Sequence, residues 1–160
     1  MSVESIRQFL YKKSLLCDQK KWDEYIELFD ENSEFHIPQW ESELVHTTDP
    51  KAQMSLLYYS DRSGLEDRVF RIRTDKSAAC KPLPRTMHEI TNVIAEQDEH
   101  GNYKVTNNWV THYHRFEVSD YFYGRSEYTL KPVDDDWKIL RKFSVLLNDK
   151  VNHVLDFYHV

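Results

Sequence analysis

Apolar residues recur every three to four positions in the first half of the chain and every second position in the last, so helices are expected first and strands after. Over residues 3–16, Val3, Ile6, Phe9, Leu10 and Lys13 fall on adjoining positions of one helix. Asp18 is placed to cap a second helix, which turns Trp22, Tyr25, Ile26 and Phe29 inward and ends at Asn32. From Ser33 to Pro38 the period drops to two, Phe35 and Ile37 against Glu34 and His36, which reads as a short strand stopped by proline. A polar loop leads to Asp49 and Pro50, an N-cap with proline at the first helical position, and Met54, Leu57 and Tyr58 continue at helical spacing to about Tyr59. A fourth helix is expected at Ser63, which with Glu66 makes a capping box: each side chain satisfies the other residue's amide. Leu65, Val69 and Ile72 then face the core, and Asp67 and Arg71 sit four apart on the other side. Pro82 and Pro84 stop any continuation.

After Arg85, Met87–Glu96, Tyr103–Phe116, Tyr121–Leu130 and Trp137–Leu147 all alternate, with turn chemistry at His100-Gly101-Asn102 and Asp134-Asp135-Asp136. Four long antiparallel strands are expected. In the last, Trp137, Ile139, Phe143, Val145 and Leu147 read as the buried face, and Lys138, Lys142 and Ser144 as the wet one. Helices followed by a meander give an α+β fold, a curved antiparallel sheet wrapped as an open cone around the N-terminal helices. Nothing divides the 160 residues, so a single domain, 1–160, is expected, long enough to bury roughly 70% of its unfolded surface.

Composition narrows the function classes. The net charge is -6 and basic residues are diluted by acidic ones throughout, which sets nucleic acid aside. The N-terminal stretch has no uninterrupted apolar run of the signal-peptide kind, and no segment approaches the ~18 apolar residues of a membrane span, so a cytoplasmic protein with no membrane contact is expected. Cys17 and Cys80 are far apart and read as reduced thiols. Three glycines cannot assemble a dinucleotide or phosphate-cradling loop. His112 and His114 share a strand face with Glu117 nearby, a spacing better explained by cross-strand packing than by a metal site. The three aspartates at 134–136 lack the further ligands of a calcium loop and read as a hairpin turn.

The segment CDQKKWDEYIELFDENSEFHIP, Cys17 to Pro38, resembles the opening of the NTF2-like superfamily, whose cystatin-like fold is the cone just described. The runs YYSDRSGLEDRVFRIRT (58–74), PRTMHEITNV (84–93) and VLDFYHV (154–160) resemble the small (beta) subunit of aromatic-ring-hydroxylating dioxygenases, in the benzoate, toluate and anthranilate branch. The resemblance spans nearly the whole chain. It implies a hexamer of three large (alpha) and three small (beta) subunits that cis-dihydroxylates an aromatic carboxylate with O2. The large subunit carries a Rieske [2Fe-2S] cluster and a mononuclear Fe(II), and a separate reductase delivers electrons from NADH. No cofactor, metal or catalytic residue is expected in this chain, where neither cysteine has a histidine two or three residues on.

A structural subunit works through its surfaces. Charge, aromatic content and the family-like stretch select Tyr59, Asp61, Arg62, Glu66, Asp67, Arg68, Arg71, Arg73, Arg85, Trp109, Asp156 and Tyr158 as candidate contacts to the large subunit or to other small subunits. Truncating Arg68 or Arg71 is expected to weaken assembly and leave the fold intact. The competing reading is a stand-alone isomerase or dehydratase of the same fold, with His112, Asp120, Tyr123, Arg125 and Tyr128 lining a polar pocket in the cone.

Overall fold

A computed structural model describes residues 2–74 and 81–160; the expectation for Cys80 lies outside them. The elements run α1 (Val3–Asp18), α2 (Trp22–Glu27), β1 (Phe29–Pro38), β2 (Ser55–Tyr59), α3 (Ser63–Arg73), β3 (Arg85–Gln97), β4 (Tyr103–Arg115), β5 (Val118–Val133) and β6 (Asp136–Leu146), closed by a 3-10 turn at Phe157–His159. The strands form one sheet in the order β2-β1-β6-β5-β4-β3. Its neighbours are antiparallel except β1 and β6, which run parallel, Phe29 beside Ile139 and His36 beside Phe143. The sheet is therefore mixed, and its first strand joins the meander through its last.

The helices cover one face. Ile6, Phe9 and Leu10 of α1, Trp22, Tyr25 and Ile26 of α2, and Leu65, Val69 and Ile72 of α3 are all buried, each on the face that the spacing predicts. They meet the inward residues of the meander: Val105, Trp109 and Tyr113 from β4, Phe122, Tyr128 and Leu130 from β5, Trp137, Ile139 and Leu146 from β6. The four meander strands and their turns lie where expected. Gly101 takes φ +84° in the first turn, and Asp134 takes φ 53° in the last.

Several local expectations are corrected. Asp49-Pro50 begins no helix: Asp49 accepts the Lys51 amide through its side chain (2.9 Å) and the Gln53 amide through its carbonyl (2.9 Å), which closes one turn only. Residues 55–59 then pair with β1, Phe35 opposite Tyr59 and Ile37 opposite Leu57, because the neighbouring strand outcompetes a helical spacing only a few residues long. The second helix is shorter than the pattern suggested and Phe29 opens β1 instead, fully buried. Lys21, with no side-chain cap bond, precedes that helix. Asp18 turns to β3 and accepts from Thr86 Oγ1 (2.9 Å), the His88 amide (2.9 Å) and His88 Nδ1. At α3 the capping box is not made. Asp61 accepts both the Ser63 amide (2.8 Å) and its hydroxyl, and the Glu66 carboxylate is taken by Arg62 Nε at 2.8 Å.

The largest correction is in β6. Opposite β5, the register jumps between Thr129–Arg141 and Leu130–Ile139, so Leu140 is an extra residue. A one-residue bulge exchanges the two faces for everything beyond it. Trp137 and Ile139 point inward as expected, but beyond the bulge Lys142 (1% exposed) and Ser144 (0%) are buried with Leu146, and Val145 shifts to the outer side.

Candidate interaction surfaces and a filled cone

Among the described residues, the interior of the cone is occupied by the chain's own last segment. Phe157 is fully buried, its ring 5.4 Å from that of Trp22 and 5.7 Å from that of Tyr25. Asp156 caps the turn by accepting the Phe157 amide (2.9 Å), and its own amide donates to His159 Nδ1 (2.8 Å). Arg68 of α3 grips the same carboxylate through Nε (2.7 Å) and Nη2 (2.6 Å), with both side chains largely out of water. His159 stacks on Tyr113 (5.4 Å) and meets Phe122 edge-on (4.8 Å).

Between this plug and the helices lies a buried polar centre that the sequence pattern did not reveal. Lys142 Nζ donates to the Val160 carbonyl (3.1 Å) and lies over the Phe35 ring, while Lys13, 3% exposed, lies over Tyr128. Burial drives the Lys142 ammonium well below its ordinary range, and neighbouring Lys13 adds to the effect. Burial likewise pushes the Cys17 thiol up to about 12, so it is no nucleophile. Burial raises the Asp18 carboxyl, but the His88 and Thr86 hydrogen bonds outweigh it and hold the group below its usual value. His88 is lowered by burial in spite of Asp18. The pair is therefore a carboxylate bonded to a neutral imidazole, a tie between α1 and β3.

The residues proposed for an enzyme pocket do not converge. Inward and outward positions alternate on β4 and β5, so His112, Tyr123 and Arg125 lie on the outer side of the sheet, Tyr128, 3% exposed, is inside, and Asp120, opposite inward Tyr113, is taken by His153 (3.3 Å) at the end of its strand. His112 faces Glu89 (3.5 Å) on the next strand, and His114 Nδ1 pairs with Ser119 Oγ (2.9 Å). Among the described residues no group of three or more His, Cys, Asp or Glu side chains is arranged to hold a metal ion. Cys17 is the only described cysteine, and a Rieske centre needs two with two histidines, so the described residues do not fit that cluster. No described helix is long and apolar enough to cross a membrane.

The candidate contact residues separate into three groups. Trp109 (4% exposed), Tyr158 (5%) and Asp156 (5%) are covered by their own chain, and Arg68 is committed to Asp156. Tyr59 is half-buried against Phe35, with burial pushing its hydroxyl up to about 12. Asp61, Arg62, Glu66 and Arg73 are engaged locally: Arg62 with Glu66 and the Phe29 carbonyl (3.0 Å), Arg73 with Asp23 (2.8 Å). Asp67, Arg71 and Arg85 remain, exposed on α3 and at the start of β3.

A six-stranded mixed sheet wrapped on one side by helices, its cone closed by a tail, gives the chain the cystatin-like fold seen in NTF2-like proteins. One such protein from Novosphingobium aromaticivorans superimposes with a TM-score of 0.62 over 96% of this chain and 88% of that one, at 14% identity. Within that fold class, residues 12–153 match the ring hydroxylating beta subunit family, and the chain belongs to it. It is 53% identical to the anthranilate 1,2-dioxygenase small subunit of Acinetobacter baylyi, covering 100% of both chains. The crystal structure of the benzoate 1,2-dioxygenase beta subunit of Burkholderia mallei is 36% identical, with a TM-score of 0.83 over 100% of this chain and 98% of that one. The family implies pairing with a large oxygenase subunit.

Proposed function

We propose that this chain is the small, chiefly structural subunit of the oxygenase component of an anthranilate-type dioxygenase, one of three copies held with three large subunits. The Rieske cluster, the catalytic iron and the substrate site belong in this reading to the large subunit, with NADH-derived electrons delivered by a separate cytoplasmic reductase. The observation that carries it is the filled cone. In a stand-alone enzyme of this fold the space beneath the helices must admit a substrate, and here Phe157 and its neighbours occupy it with fully buried rings. The identity of 53% to an anthranilate system against 36% to a benzoate one favours anthranilate over benzoate as the substrate of the complex. The stand-alone isomerase or dehydratase is not favoured.

Contact to the large subunit falls in this reading on the outward side of α3. Asp67 and Arg71 are exposed charges that no described residue engages, and an exposed arginine is suited to a desolvated ion pair across an interface. The test is co-expression with the large subunit of an anthranilate-type dioxygenase. The purified chain alone is expected to contain no iron and to turn over no aromatic acid with reductase and NADH, whereas the complex does both. Arg71→Ala is expected to leave the Tm of the isolated subunit unchanged and to weaken assembly about tenfold or more in sedimentation. Arg68→Ala is expected to behave oppositely, lowering stability by about 3 kcal/mol because the buried Asp156 carboxylate loses the Nε and Nη2 contacts of Arg68. Iron or turnover in the isolated chain sinks the structural reading.

A further inference from the structure

The outer side of the sheet carries two unlike surfaces that fit one another. The first is a tip. The chain between β1 and β2 folds back through the Trp40–His46 bridge, and the Glu41 and Ser42 amides both donate to the Val45 carbonyl (2.8 and 3.1 Å). The base is fixed by Trp40 Nε1 to the Leu146 carbonyl (2.7 Å), by edge-to-face packing of Trp40 on His46, and by Thr47 Oγ1 to the Met54 carbonyl (2.9 Å). This anchored turn presents Leu44, 86% exposed, and Val45, 53% exposed. Glu41 is held by Gln53 (2.9 Å), but Glu43 beside Leu44 has no partner among the described residues.

The second surface is a recess of about 490 Å³ on β4 and β5, lined by Val110, His112, Ser119, Asp120, Tyr121 and Tyr123. The Tyr121 and Tyr123 rings lie 5.8 Å apart, and Met87 extends the apolar floor, since Met87, His112 and Tyr121 are direct cross-strand neighbours. Tyrosine and methionine are the residue types enriched at interface cores. Next outward on the row is Arg125, exposed and with no described residue bonded to it. One surface is thus a rigid aliphatic knob with an unpaired carboxylate at its side, the other an aromatic hollow with an unpaired guanidinium at its side.

We infer that the occupant of the recess is the 41–45 tip of a second copy of this chain, Leu44 and Val45 lying against Tyr121, Tyr123 and Met87 with Glu43 paired to Arg125. The inference rests on the reading of this chain as one of three small subunits. Leu44 shares a further recess of about 560 Å³ with Arg125 of its own chain, but no residue of the tip lines the Tyr121–Tyr123 hollow, so a tip seated there from a second copy is a heterologous contact, and such contacts build closed rings when the rotation between copies permits. Three copies then share three identical contacts with no tip left over.

The experiment uses the complex of small and large subunits carrying Leu44→Cys and Tyr121→Cys together, treated with a short bismaleimide, with each single variant as control for Cys17 and Cys80. Both positions are exposed, so the fold is expected to survive. Covalent dimers and trimers of the small subunit, seen only in the double variant, are the expected result. Adducts to the large subunit, or a ladder that stops at dimer, overturn the inference. Native mass separates the two readings: three small subunits without cross-links overturn this contact alone, and one small subunit per complex overturns both. Glu43→Arg is expected to loosen association of the small subunits about tenfold, and adding Arg125→Glu to restore it to within about threefold. No restoration counts against the pair.

Discussion

His159 is 2% exposed, and its Nδ1 accepts the Asp156 amide, so the ring carries its proton on Nε2, which meets no partner among the described residues. Burial pushes its pKa from 6.5 down to about 3. Between those values the unfolded chain binds a proton that the folded chain refuses. The stabilisation is complete above pH 6.5 and is lost as pH falls toward 3, with a slope up to about 1.4 kcal/mol per pH unit. His88, lowered in the same direction, adds to it. Thermal melts at pH 7 and pH 5 are expected to show a marked loss of stability in the native chain and a shallower one in His159→Asn, whose amide oxygen still accepts from Asp156. Parallel profiles would refute this. None of this was legible in VLDFYHV, where His159 looks like any polar residue near a chain end; its role depends on strands β4 and β5 arriving around it.

Among elements, the type of a long periodic segment is legible in the sequence, whereas that of residues 55–59 is not. Eleven to sixteen residues of α1, α3 and β3–β6 carry enough alternation to identify them, whereas Met54, Leu57 and Tyr58 fit two periods and their partner β1 decided. The β6 bulge has a different cause. Lys142 and Ser144 are poor advertisements for a buried face, and only the pairing with β5 reveals that Leu140 has been inserted. Trp109 and Tyr158 are a related case: by type they look like interface anchors, and in the folded chain both are packed against its own residues. The β5–β6 contact also explains a glycine. A Cβ at Gly124 would lie 1.8 Å from the Val145 carbonyl oxygen and 3.1 Å from the Trp109 ring, so the two strands approach as closely as they do only because it is absent. Gly124→Ala is expected to cost about 1–3 kcal/mol in urea denaturation, with the damage localised to β5 and β6 by hydrogen exchange. Unchanged exchange at those strands would contradict it.

For the whole molecule, the tail turns an open cone into a closed body. Trp22, Phe157, Tyr25, Phe29 and Phe35 form, in that order, a continuous train of rings, each successive pair within 6.2 Å, with Phe157 the link between Trp22 and Tyr25. Phe157→Ala is expected to destabilise the isolated subunit by about 3–5 kcal/mol and to open a cavity that binds small apolar probes such as benzene, detectable by ligand-induced rise in Tm. A loss below about 1 kcal/mol would mean that the ring is not the keystone of the plug. The family resemblance in the sequence foretold the cone and the subunit class; that the cone is filled from within required seeing where Leu155 to Val160 go.

The parallel pairing of β1 with β6 has a consequence for synthesis on the ribosome. Trp40 must wait for Leu146, 106 residues later, before its indole finds the carbonyl it holds in the finished sheet. At about 5–20 residues per second, the β1–β2 hairpin spends roughly 5–20 s with one edge bare, among neighbouring nascent chains that offer the same edge. Such an edge invites pairing between chains unless charge opposes it. Asp30, Glu31 and Glu34 lie along that strand, so two nascent copies brought edge to edge meet as like charges. Only the arrival of Arg141, which takes Glu34 at 2.9 Å, makes the edge attractive to its own chain.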